Sequence, residues 1–71
     1  MNNPATDTFL RDAEVTAITG LSRSSRYELM AENPPRFPRP IRLSRNRVAW
    51  SAREISEWQE QLRALRDGKA A

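Results

Sequence analysis

Residues 20–27 read GLSRSSRY, and the parsing of this octapeptide decides the fold. Glycine takes the left-handed conformation needed just past a helix end, so Gly20 closes whatever helix precedes it. Ser22 is a good N-cap, with a hydroxyl able to accept an amide at the start of a second helix. Leu21, between them, can turn back into a core. Two helices therefore meet at the turn Gly20-Leu21-Ser22, and the second opens on Arg23, Ser24, Ser25, Arg26 and Tyr27. These arginines either keep a small domain in solution or form part of a contact surface.

Upstream, Arg11–Thr19 predicts a short helix. Asp12 can cap its start, and Val15 and Ile18 fall three apart on one face. Downstream, the second helix runs to about Glu32, with Tyr27, Leu29 and Met30 anchoring its buried side. Asn33-Pro34-Pro35 stops it, since neither proline supplies an amide hydrogen and Pro34 disfavours helical geometry at Asn33. Arg36-Phe37-Pro38-Arg39-Pro40 reads as an extended crossing, in which Phe37 and the prolines set the path of the chain.

Ile41-Arg42-Leu43 and Val48-Ala49-Trp50 are short β-prone runs. Ser44-Arg45-Asn46-Arg47 between them has the length, and an asparagine, suited to a hairpin turn. Ser51 with Glu54 matches a capping box. Ile55, Trp58, Leu62 and Leu65 then form one apolar stripe of a third helix, closed by Gly68. Leu62 and Leu65 extend that stripe beyond what a small core needs, either to fold back on the first helix or to meet a neighbouring subunit. The expected organisation is a flexible arm over 1–8, one domain over 9–67 and a flexible tail over 68–71. The fold class is mainly α with a small β-hairpin, a winged helix-turn-helix.

The 71-residue chain has neither cysteine nor histidine. That removes disulfides, thiolate metal sites and every Ser-His or Cys-His nucleophile, so neither an enzyme nor a cofactor is expected. No apolar run suits a signal peptide or a membrane span, and the expected location is the cytoplasm, at the nucleoid when bound. The net charge is +3, unevenly spread. Residues 22–53 hold eight arginines against Glu28 and Glu32, a balance of +6, between ends of −2 and −1. Eleven of the twelve basic residues are arginine, whose planar fork suits phosphates and guanine edges. This asymmetry favours a polyanionic partner.

In a helix-turn-helix the second helix sets its first residues against base edges in the major groove. Arg23, Ser24, Ser25, Arg26 and Tyr27 occupy that place. Arg42, Ser44, Arg45, Asn46 and Arg47 make the hairpin a basic wing, narrow enough for a groove or a backbone track. Taken singly, each stretch also reads as an ordinary solvated surface; their succession is more specific than either. Trp50 and Trp58 read as core, and Tyr27 as a ring that packs while its hydroxyl reaches a phosphate.

The chain also resembles a known family. Phe9-Leu10-Arg11, Glu14-Val15, Thr19-Gly20-Leu21-Ser22-Arg23-Ser24, Tyr27, Arg36-Phe37-Pro38-Arg39-Pro40-Ile41-Arg42-Leu43, Val48-Ala49-Trp50 and Ile55-Ser56-Glu57-Trp58 are similar to AlpA-type phage regulators. These are small MerR-like winged helix-turn-helix proteins related to excisionases. The resemblance covers about residues 9–60. It implies sequence-specific binding of double-stranded DNA by a transcription regulator, a recombination directionality factor, or both. The partners it implies are promoter or attachment-site repeats, further copies bound cooperatively, and a recombinase or RNA polymerase. Two positions depart from the pattern: Arg26 stands where the family usually has Ile or Leu, so that its side chain either reaches DNA or snorkels around the core edge, and Ser44 stands where the family commonly has Gly. The competing readings are an adaptor that uses the fold to bind protein rather than DNA, and single-stranded nucleic-acid binding, which requires exposed aromatics.

Overall fold

The computed structural model describes residues 6–68. The arm expected at 1–8 and the tail at 68–71 therefore lie largely outside the described residues. The elements, in order, are β1 (Phe9–Leu10), α1 (Asp12–Thr19), α2 (Arg23–Met30), β2 (Ile41–Ser44), β3 (Arg47–Ser51) and α3 (Ala52–Arg66). This is a winged helix-turn-helix. Among the described residues no helix is long and apolar enough to cross a membrane.

Gly20 has φ 75°, the left-handed conformation, and donates its amide to Thr16 O at 2.9 Å. Thr19 tightens the same turn: its hydroxyl donates to Val15 O, and its oxygen accepts the Leu21 amide. Ser22 then caps α2 by accepting the Ser25 amide at 3.1 Å. α2 ends at Met30, two residues before the expected Glu32. The amides of Glu32 and Arg36 both return to Leu29 O and close the helix end.

Three expectations change. First, Asp12 is not the cap of α1. The cap position is Arg11, whose amide donates to the Glu14 carboxylate at 2.8 Å, which releases the Asp12 carboxylate for another partner. Second, Ile18 does not share the buried face with Val15: it is 47% exposed while Val15 is fully buried. Third, the hairpin is not a lone two-stranded ribbon. β1 adds to it, giving the antiparallel order β1-β3-β2 with Phe9 opposite Ser51 and Leu10 opposite Trp50. A two-stranded ribbon is marginal in water, and the third strand fastens the base of the wing.

The hairpin turns at Arg45-Asn46. Among the described residues only glycines have positive φ, so this turn is not of the mirror-image type that matches strand twist best. The register slips by one between Arg42 and Ser44, leaving Leu43 as the extra residue of a bulge.

The core is Val15, Met30, Phe37, Trp50 and Ile55, with Leu10, Leu21, Leu29 and Trp58 packed against it. Trp50 is buried as expected. Trp58 is half-buried, donating its Nε1–H to Arg36 O at 2.9 Å and meeting Phe37 edge-to-face at 4.8 Å. Phe37 thus pins the crossing between α2 and β2 onto α3.

Ser51 caps α3 by accepting the Glu54 amide at 3.1 Å, the hydroxyl half of the expected capping box. Its own hydroxyl donates to the Asp7 carboxylate, which also accepts the Arg53 amide at 3.2 Å. One residue on, Thr8 O accepts the Ala52 amide at 2.8 Å. The hydrogen bond from Ser51 lowers the Asp7 pKa from its ordinary value; desolvation opposes it, and the Arg53 amide and charge then add to the lowering.

A carboxyl group whose folded-state pKa is depressed stabilises the fold above its unfolded-state value and loses that contribution as pH falls through the folded one. Acid melts should therefore show Asp7→Asn less stable than wild type at neutral pH, with the difference closing as pH drops below the ordinary carboxylate range. Two parallel curves at every pH would count against the clamp.

Candidate nucleic-acid interface

The start of α2 presents Arg23 and Ser24 to solvent. Ser25 is half-buried and partly committed to the cap, its hydroxyl oxygen accepting from Ser22 at 3.1 Å. The guanidinium of Arg23 lies over the Tyr27 ring, 5.6 Å from its centroid. Tyr27 is 38% exposed and meets Trp50 of β3 edge-on at 6.4 Å and 80°. The first two turns of α2 are thereby braced against the inner strand of the wing.

Arg26, counted with the DNA-facing side chains on sequence grounds, is 0% exposed and cannot reach a base or a phosphate from this position. Its guanidinium pairs with the Asp12 carboxylate through Nη2, and its Nη1 donates to Thr16 Oγ1 at 2.6 Å and to Leu21 O at 2.9 Å. The same group stacks over Trp50, 5.1 Å from the ring centroid. The physical reason for the correction is position. Three residues after Arg23, the side chain of residue 26 enters the α1–α2 seam. An arginine there must bring its counter-charge with it, and Asp12 supplies that charge from α1.

The wing residues Arg42, Ser44, Arg45, Asn46 and Arg47 are all exposed. Leu43 and Val48 are exposed with them, so the wing carries apolar as well as basic surface. Its tip lies beside the start of α1, where Arg11 and Asp12 line a shallow recess with Asn46, Arg47 and Val48. Sequence reasoning missed Arg11 as a neighbour of the wing. No local signal links it to residues 35 and 36 positions further on.

The ion pairs sort the arginines. Arg26 pairs with Asp12, Arg36 with Glu32 at 3.6 Å, Arg63 with Glu60 at 2.7 Å and Arg66 with Asp67 at 2.9 Å. Among the described residues Arg23, Arg42, Arg45 and Arg47 have no carboxylate partner. Arg11 and Arg39, also exposed, have no carboxylate partner among the described residues either; Arg11 lies at the wing tip and Arg39 in the loop before β2.

Comparison with known proteins agrees with this architecture. The family described as "Prophage CP4-57 regulatory protein (AlpA)" matches residues 8–64. The uncharacterized protein ORF88 of Enterobacteria phage P4 is 42% identical over 50 residues, which is 70% of this chain and 54% of that protein. The chain thus spans about half the length of this relative. No solved structure matches. The family match extends from just before β1 almost to the end of α3, and so takes in the turn, both helices around it and the wing. The chain belongs to the AlpA family of phage regulatory proteins.

Proposed function

We propose that this protein recognises a defined double-stranded DNA site of a phage or other mobile element. The start of α2 enters the major groove, and the β2–β3 wing lies on the adjacent groove or backbone. In this reading it acts as a transcription regulator, as an excisionase that sets the direction of recombination, or as both. The observation that carries the reading is the clustering of charge at the start of α2 and on the wing: Arg23, Arg42, Arg45 and Arg47 are exposed and, among the described residues, have no carboxylate partner, while Arg26 is neutralised within the fold. Arg23 and Ser24 suit base-edge readout, and Tyr27 and the wing arginines suit positioning on phosphates. Arg11 extends the basic surface at the wing tip.

The test is binding to duplexes from the promoter and attachment regions of its own mobile element over a range of salt. With about four to six phosphate contacts, log affinity should fall with log salt at a slope of about −4 to −5. No binding to any such duplex at low salt would remove this reading and leave the adaptor. Single-strand binding is less well supported, because it needs exposed aromatic platforms. Trp50 is buried, and Trp58 is held by Phe37 and Arg36 O.

Arg45→Ala and Arg47→Ala should each weaken binding about equally on cognate and unrelated duplexes, and each should reduce the salt slope by about 1. Unchanged affinity and slope in both variants would take the wing out of the interface.

A further inference from the structure

A groove runs between the 35–39 loop and α3. Its floor is the Phe37–Trp58 pair, held by the hydrogen bond from Trp58 Nε1 to Arg36 O. The apolar lining continues along α3 to Leu62 and Leu65, which are 44% and 60% exposed. Folding leaves these leucines uncovered, and they border a concave apolar floor rather than standing alone. The two banks differ in charge. The loop bank carries Arg36, already paired with Glu32 at 3.6 Å, and Arg39, which has no carboxylate partner among the described residues; the helix bank carries Glu54 and Glu57.

We propose that this groove is a self-association surface whose occupant is a second copy of the chain, related by a two-fold axis running along the groove. The charge pattern selects both the occupant and the axis. A rotation about the groove direction lays each copy's arginine bank on the other copy's glutamate bank, and brings Leu62 and Leu65 of the two copies together at the same end of the groove. An axis across the groove would oppose banks of like sign. A partner segment of one dominant charge would meet repulsion from one bank, and a nucleic acid would meet the glutamates. The contact forms without DNA and does not depend on the reading of α2. On DNA, an isologous pair carries two reading helices and favours inverted half-sites.

The experiment is sedimentation of the wild-type chain across a wide concentration range, with three exposed-position variants. Wild type should pass from monomer to dimer as concentration rises, and Leu65→Asp should remain monomeric. Arg39→Glu alone and Glu57→Arg alone should each associate less than wild type, because each brings like charges together. An equal mixture of these two variants should recover association, since each then meets its opposite. Thermal melts of each variant confirm folding, and the mixture experiment stands even if Leu65→Asp does not fold. Wild type that is monomeric at every concentration, or a mixture no more associated than its parts, would overturn the proposal. Neither result depends on DNA binding, so the DNA-reading proposal stands or falls separately.

Discussion

Replacing Asp12 with alanine should lower the stability of the fold by about 2–3 kcal/mol, and the melting temperature of so small a domain by roughly 10–20 °C. The reason is the burial of its partner. Arg26 has no exposed surface, and Asp12 is the carboxylate that pairs with its guanidinium. Removing Asp12 leaves a buried cation with two neutral acceptors, Thr16 Oγ1 and Leu21 O, and an aromatic face. The figure sits below that for a fully buried pair because Asp12 itself is half exposed and water partly compensates its loss.

Arg26→Leu should behave differently. It removes the charge together with its need for a partner, fills the seam with an aliphatic side chain, and should change stability by no more than about 1 kcal/mol. In the Arg26→Leu background, Asp12→Ala should cost almost nothing, so chemical denaturation of the four proteins should give a coupling of about 2 kcal/mol. Cognate DNA affinity should survive Arg26→Leu. A variant that melts like wild type but no longer binds would return Arg26 to the DNA surface and refute a purely internal role for the Arg26–Asp12 pair.

That pair marks the limit of what the sequence conveyed. Signals acting within one turn were legible: Gly20 in its left-handed conformation, the Ser22 and Ser51 caps, the break after α2 and a hairpin turn within residues 44–47, though Ser44 and Arg47 belong to the strands and only two residues form the turn. Each depends on neighbours three or four positions away, where residue identity constrains geometry. Arg26 could be marked as a departure, but its partner lies 14 positions back on another helix, and Asp12 had a plausible local role as a cap. Asp7 joins Ser51 across 44 positions, and β1 is two residues long, too short for alternation to register. Ile18 had the right spacing for the core, yet α1 is short and packs mainly through Val15. The apolar stripe of α3 was read correctly as a stripe. Where the core stops along it depends on how far the 35–39 loop reaches over the helix, which is a property of the assembled fold.

Arg23→Ala should cost about 1–3 kcal/mol on the cognate site and relax preference at one or two base pairs, with little change on unrelated duplexes. Arg23 stands at the first position of α2, exposed and without a carboxylate partner. Its fork is supported from beneath by the Tyr27 ring, which itself rests edge-on against fully buried Trp50. A long side chain so placed loses less freedom on docking than one swinging in water, and the stack contributes about 0.5–1 kcal/mol at an exposed site.

Tyr27→Phe should therefore keep most of the discrimination, and Tyr27→Leu should lose a part of it comparable to the stack. In the Arg23→Ala background, Tyr27→Leu should add little to the loss of discrimination, because the side chain it positioned is gone. Competition binding with each base pair of the site substituted in turn separates these outcomes, and thermal melts exclude unfolding. If Arg23→Ala weakened every duplex equally, Arg23 would be a phosphate contact rather than a reader of sequence. If the Tyr27→Leu loss persisted in full without Arg23, the aromatic ring would touch DNA on its own account. The predicted pattern requires both observations together: discrimination lost at specific base pairs, and lost only once along the stack that runs from Arg23 through Tyr27 to the core.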